Sequence, residues 1–188
     1  MTSFGVRIRD AVEMISGGDG AVIGTTEPGI WADLGCGDGT FTRALAHLLA
    51  PGSVVHAVDV DEAALAGIAS EQNRVTIVTH HADFVQQPWP FDERLDGILM
   101  ANSLHYVRDQ EAFVAECDAR LKADGRFIIV EYDFDRPNRW VPYPVSRQRL
   151  TALFAADGYS SPVWLGSRPS VYQRGEMYAA LIRRAGAG

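Results

Sequence analysis

The feature that most restricts how this chain can fold is its rhythm. Short apolar or β-branched runs, GIWADL, SVVHAVDV, VTIVTH, LDGILMA and RFIIVEYD, alternate with helical segments of about a dozen residues. In TFTRALAHLLAPG, Phe41, Leu45, Leu48 and Leu49 share one helical face, and Pro51 and Gly52 stop the helix. DEAALAGIASEQ reads as a helix with acids in its first turn, and RDQEAFVAECDARL as one striped by Phe113, Val114, Cys117 and Leu121. A KADG turn then leads into RFIIVEYD. Alternation of this kind implies parallel pairing with right-handed crossovers, hence a three-layer α/β sandwich. Near-continuous apolar strands fit a sheet covered on both faces.

The ends of the chain depart from that rhythm. RIRDAVEMI carries Ile8, Ala11, Val12 and Ile15 at helical spacing before SGGDG ends it, within an N-terminal helical segment spanning 1–27. After RFIIVEYD comes an aromatic, Pro-interrupted loop at 134–145, then the helix SRQRLTALFAADG. PVWLG and EMYAALI follow without a helix between them, so a mostly parallel seven-stranded sheet should end in an antiparallel hairpin.

Composition narrows the function. A chain of 188 residues, 47% hydrophobic and without a bilayer-length apolar run, reads as one soluble domain over 1–188. Its first residues lack a secretory signal pattern, so the expected location is cytoplasmic. Cys36 and Cys117 are far apart and suit reduced thiols. A net charge of −7 argues against nucleic acid as a partner, because phosphate binding relies on Lys and Arg. The charge is uneven: residues 131–188 carry eight Arg against five acids. That bias is either a solvated surface or a sign of an anionic substrate.

WADLGCGDGTFTRAL concentrates the chemistry. A strand, a glycine-rich turn and a helix N-terminus make a place for a nucleotide-like ligand. The dinucleotide fingerprint is G-x-G-x-x-G, whereas Gly35, Gly37 and Gly39 are spaced G-x-G-x-G. Asp33 and Asp38 beside that turn would repel a pyrophosphate and suit a ligand carrying ammonium or sulfonium charge.

With ADLGCGDG, HAVDVDEAAL, HHADF and LDGILMANSLHYV in this order, and LKADGRFIIVEYD behind them, the chain resembles the class I S-adenosylmethionine-dependent methyltransferases over residues 28–184. The resemblance implies a Rossmann-like sandwich and S-adenosylmethionine as cofactor. It implies that Asp33 orients the methionine end, that Gly35, Gly37 and Gly39 let the backbone approach it, and that Asp59 takes the ribose hydroxyls with Val60 on one adenine face. Asp83 and the Phe84 N–H correspond to the adenine amino edge, and Ala101 and Asn102 to backbone near the methionine ammonium.

Methyl transfer asks the protein mainly to align acceptor, donor carbon and leaving sulfur, with removal of an acceptor proton as further help. His105 in SLHY is the first candidate base and Tyr106 the second, each with an ordinary packing role as its rival. Trp140 and Tyr143 are candidate walls of a small-molecule substrate pocket, or part of a structural flap. His80 and His81, with His56 or His105, lack the spacing of a metal site, so no metal is expected. With only about 30 residues before the first strand and no cap domain, the substrate should meet the small 134–145 lid, a second copy in a homodimer, or a partner protein. The expected activity is methyl transfer to a small-molecule acceptor. The alternatives are an NAD(P)-dependent Rossmann oxidoreductase and a catalytically inert cofactor-binding scaffold.

Overall fold

The computed structural model describes residues 7–17, 26–86, 88–156, 158–170 and 175–186. Much of the expected 1–27 segment, including most of SGGDG, lies outside the described residues, as does Asp157 at the end of the ALFAADG helix. Eight strands form one sheet: β1 (Ile30–Leu34), β2 (Val54–Asp59), β3 (Glu71–Gln72), β4 (Val75–His81), β5 (Leu95–Ala101), β6 (Leu121–Tyr132), β7 (Val163–Pro169) and β8 (Glu176–Arg183). The helices are α1 (Ile8–Ser16), α2 (Thr40–Leu48), α3 (Glu62–Leu65), α4 (Gln110–Arg120) and α5 (Arg147–Ala156), with a 3-10 turn at Leu104–Tyr106. No described helix is long and apolar enough to cross a membrane.

The strand order is β3-β4-β2-β1-β5-β6-β8-β7. From β4 to β6 all neighbours are parallel, while β8 pairs antiparallel with both β6 and β7. The C-terminal hairpin is thus present, with its second strand inserted between β6 and its first. The succession of strands leaves β1 in opposite directions, toward β2 on one side and β5 on the other. Such a reversal opens a crevice at the carboxyl ends of the two central strands.

One correction to the sequence reading concerns the edge of the sheet. There are eight strands, not seven, because the helix expected over DEAALAGIASEQ stops at Leu65 and its last residues become β3. Asn73 and Arg74 both take positive φ, at 54° and 62°, and this tight turn folds β3 back on β4. The KADG turn survives as residues looped out of β6, since Leu95 faces Leu121 while Gly97 faces Arg126.

Alternation along the strands loads both faces. Leu34, Ile98, Met100, Phe127 and Ile129 pack with Phe113 and Val114 of α4 and Leu150 and Phe154 of α5. Trp31, Leu99 and Ile128 pack on the other face with Met14 and Ile15 of α1 and Phe41 and Leu45 of α2. Each fully buried side chain of this size contributes about 1.5–3 kcal/mol, so the strand ends are held on a rigid platform.

Candidate functional site

The carboxyl ends of β1, β2, β4 and β5 border a cleft of about 320 Å³ lined by Gly35, Asp59, Val60, Asp83, Phe84, Val85, Gln86, Asn102, Ser103 and Tyr106. Six of the ten residues expected to meet the cofactor line it. Asp33, Gly37, Gly39 and Ala101 do not.

The glycine turn wraps over the end of β2. Gly35 and Cys36 both donate N–H to the Val58 carbonyl, at 2.8 and 3.0 Å, and the Gly37 N–H reaches Asp59 Oδ2 at 2.7 Å. At Gly35 glycine is obligatory for two reasons. Its φ is +78°, and an added Cβ would lie 2.5 Å from the Ser103 Cβ. Ser103 in turn donates its hydroxyl to the Leu34 carbonyl at 2.5 Å, tying the ends of β1 and β5 together at the floor of the crevice. Asp38 is engaged differently from the sequence expectation: its exposed carboxylate accepts from the Thr40 N–H and hydroxyl at 3.0 and 2.7 Å, at the start of α2. Its Oδ1 is committed to the turn.

Asp59 ends β2 with Oδ1 accepting from the Asp61 N–H at 2.9 Å and Oδ2 from Gly37. Each oxygen keeps a lone pair toward the cleft. Capping of α3 falls to Asp61, which accepts from the Ala63 and Ala64 N–H groups. Val60 is 61% exposed beside the cleft. Asp83 accepts from the Val85 N–H at 2.9 Å, while the Phe84 carbonyl takes the Trp89 indole N–H at 3.2 Å and the Phe84 ring meets Phe113 edge-on.

Two acceptors near these strand ends have no donor. Asp33 is fully buried, with Oδ2 bound to the Thr42 hydroxyl at 2.6 Å and Oδ1 unpartnered. Burial pushes its carboxyl up from 3.8 to about 7, against the lowering by Thr42 and with help from Asp59. Asn102 is held at φ 57°, with its own N–H bound to the Val130 carbonyl and its Oδ1 buried and unpartnered. Non-glycine residues seldom adopt this conformation, and buried acceptors without donors are rare.

His105 does not line the cleft, contrary to the role expected from its place in SLHY. The 3-10 turn rotates it inward, 2% exposed, where its ring Nδ1 lies 2.8 Å from Glu131 Oε2 and its main-chain N–H 3.1 Å from Oε1. A carboxylate only accepts, so Nδ1 carries the ring proton. The same turn throws Tyr106 outward, 56% exposed and on the cleft wall. Glu131, fully buried at the end of β6, was hidden from sequence reading inside an apolar strand; an acid there was its only signal. Trp140 and Tyr143 are 68% and 38% exposed. The Tyr143 N–H donates to the His105 carbonyl at 3.1 Å, and the Gln110 amide donates to the Tyr143 carbonyl at 3.0 Å. The loops after β5 and β6 are therefore stitched together.

His56 and His80 form a separate cluster, while His47 bonds Gln72 and Asn73 beside β3. His56 Nδ1 is 2.9 Å from His80 Nε2, the His56 ring stacks on Phe91, and Glu93 lies 4.0 Å from His56 Nε2. Burial lowers both imidazoles. His81 bonds the Val60 carbonyl instead. Among the described residues no group of three or more His, Cys, Asp or Glu side chains could hold a metal ion. Both cysteines are free and buried, and burial pushes their thiols up.

A parallel sheet that reverses at β1, a glycine turn after its first strand and an acid ending its second are together the architecture of class I S-adenosylmethionine-dependent methyltransferases. Residues 32–127, more than half of the chain, match the family described as a methyltransferase domain, and the chain belongs to that family. Among solved structures it resembles 1,6-didemethyltoxoflavin-N1-methyltransferase from Burkholderia thailandensis, at 24% identity and a TM-score of 0.64 over 94% of this chain and 77% of the other. It also resembles magnesium protoporphyrin IX methyltransferase from Synechocystis PCC 6803, at 15% identity and a TM-score of 0.65 over 95% and 82%. A methyltransferase from Mesorhizobium loti aligns at 19% identity and a TM-score of 0.64 over 94% and 100%. No curated protein matches the sequence.

Proposed function

We propose that this protein binds S-adenosylmethionine in the β1–β5 cleft and directs its methyl group to a small-molecule acceptor. The observation that carries the reading is the pair of buried, unpartnered acceptors, Asp33 Oδ1 and Asn102 Oδ1, at the ends of adjacent strands beside the glycine turn. Orphaned acceptors of this kind cost about 1–3 kcal/mol each until a donor arrives. An ammonium supplies several N–H groups at once, whereas a pyrophosphate supplies none, so the oxidoreductase alternative loses ground.

Within that reading each group has one task. Asn102 meets the amino-acid end from the cleft wall while Asp33, buried behind the lining, draws the ammonium by its charge, the free lone pairs of Asp59 take the ribose hydroxyls, and Val60, Asp83 and Phe84 enclose the base. Gly35, Gly37, Gly39 and Ala101 supply close-lying backbone. S-adenosylmethionine, when bound, supplies a methyl group already activated by the sulfonium charge. The chain then has to position an acceptor and exclude water. Tyr106, on the cleft wall, is the polar side chain placed to orient that acceptor. His105, bonded to Glu131, acts as a strut beneath it and as a base only if the turn opens. The 134–145 loop with Trp140 and Tyr143 forms a lid. Two neighbours whose names specify didemethyltoxoflavin and magnesium protoporphyrin IX support a small-molecule acceptor.

Calorimetric titration with S-adenosylhomocysteine and, separately, NADH tests the cofactor. Incubation of the protein and a metabolite pool with methyl-labelled S-adenosylmethionine tests the activity. Binding of NADH alone would overturn the assignment, and cofactor binding with no labelled product from any pool would leave the inert scaffold.

A further inference from the structure

We infer that the mouth of the cleft selects a flat aromatic acceptor carrying a carboxylate; this rests on the reading above and adds the acceptor's chemical class. Among the described residues four large aromatic side chains stand open to solvent, Tyr106, Trp140, Tyr143 and Trp164, and the first three belong to the loops after β5 and β6. These three belong together in space. Tyr106 lines the cleft, and the Tyr143 N–H binds the carbonyl of its neighbour His105. Trp140 is three residues from Tyr143, a reach of at most about 11 Å. Trp140 is also not loose, because its N–H and that of Val141 both bind Asn138 Oδ1, at 2.8 and 3.0 Å. Exposed aromatic patches beside a cleft mark binding surfaces, and a ring face best accommodates another flat π system.

The charge comes from the same two segments. Arg147 and Arg149 are engaged with Asp133 and Glu111. Arg108, Arg136 and Arg139 are exposed and make no ion pair among the described residues. Arg108 lies two residues from Tyr106, and the Arg139 guanidinium sits 5.2 Å from the Trp140 ring centroid. Of the acids in these segments, Asp109 accepts the Ala112 N–H at the start of α4 but keeps its charge, so Asp109 and Asp135 stand against three arginines. Within a chain of net charge −7, an excess of arginine in the segments that carry the exposed rings, with Arg139 over Trp140, runs against the overall balance. Aromatic rings with arginines also suit single-stranded nucleic acid. Three arginines and an acidic whole make a poor track for a phosphate backbone, and one carboxylate satisfies one guanidinium fork.

The test is calorimetry with 2-naphthoate, run with and without saturating S-adenosylhomocysteine, beside cyclohexanecarboxylate, naphthalene-2-methanol and a short oligothymidylate. The inference expects 2-naphthoate to bind at least about tenfold tighter than either small control, from ring stacking and a charge-assisted bond together. Trp140→Ala should weaken 2-naphthoate about tenfold while S-adenosylhomocysteine affinity stays within about twofold. Arg139→Gln should weaken 2-naphthoate and leave the alcohol unchanged. Equal binding of cyclohexanecarboxylate, absence of 2-naphthoate binding in both runs, or tighter binding of oligothymidylate overturns the inference. The S-adenosylhomocysteine titration is read on its own, so failure of the cofactor reading is distinguishable from failure at the mouth.

Discussion

Asp33 should make cofactor binding depend on pH in the neutral range. In the folded, ligand-free protein its carboxyl is pushed up to about 7, chiefly by complete burial. Raising it from 3.8 costs the ionised form about 4 kcal/mol, because each tenfold change in acidity is worth about 1.4 kcal/mol. The unfolded chain gives up this proton near 3.8 while the folded one keeps it to about 7, so the unliganded fold loses stability as pH rises between those values. A ligand ammonium in the cleft beside buried Asp33 favours the ionised carboxylate by its charge and reverses the balance. If only that form binds, about one molecule in ten is competent at pH 6 and about nine in ten at pH 8. S-adenosylhomocysteine should therefore bind about tenfold more tightly at pH 8, releasing close to one proton per site at pH 6. Calorimetry in two buffers of different ionisation enthalpy reads both quantities. Asp33→Asn should bind weakly and without pH dependence. An affinity that is flat from pH 6 to 8 in the unaltered protein, with no proton released, would refute the role given to Asp33.

Three further outcomes are expected. Gly35→Ala should lower stability by about 2–5 kcal/mol in chemical unfolding, from the left-handed φ and the Ser103 contact together; adding Ser103→Gly relieves the clash but loses the Ser103–Leu34 hydrogen bond, so the double variant should fall short of the unaltered protein. His56 and His80 have folded pKa values below 6.5, so the unfolded chain takes up more protons below that pH and stability should fall on acidification from 7 toward 5. Thermal melts in an Asp33→Asn background, which removes the opposite contribution, should show this, and His80→Gln should flatten the profile. Glu131→Leu leaves the His105 N–H and ring nitrogen without their partner and should cost about 1–3 kcal/mol for each orphaned group, whereas Glu131→Gln should cost less in the same melts.

The alternation of apolar runs and helices was enough to place β1, β2, β4 and β5 and the helices α2 and α4, because burial on two faces forces long stretches of one periodicity. Failure came at the edge, where a helix-like pattern over residues 61–72 lost to a two-residue strand. The segment is rich in good helix formers, but Gly67 interrupts it, and pairing with β4 through the Asn73–Arg74 turn outweighs local preference. Within the site, the glycines and the acids at strand ends were visible because backbone approach and ligand charge each demand a residue type. Whether those acids face a ligand was not visible: Asp38 and Asp33 are five residues apart in one turn, yet the first is spent on the start of α2 and the second is buried with a free oxygen.

By itself the sequence determined the family, the layer order of the sandwich and the edge of the sheet where the candidate site lies. These depend on composition and spacing, which are local and repeat along the chain. Only the tertiary structure decided which side chains stand in the cleft. One short 3-10 turn exchanges His105 for Tyr106, and the partner that makes this exchange stable, Glu131, is 26 residues away on another strand. The insertion of β8 between β6 and β7 and the stitching of Tyr143 to His105 are decisions of the same kind. Each is a long-range contact whose free energy appears only once the sheet has assembled, so no window of neighbouring residues contains it.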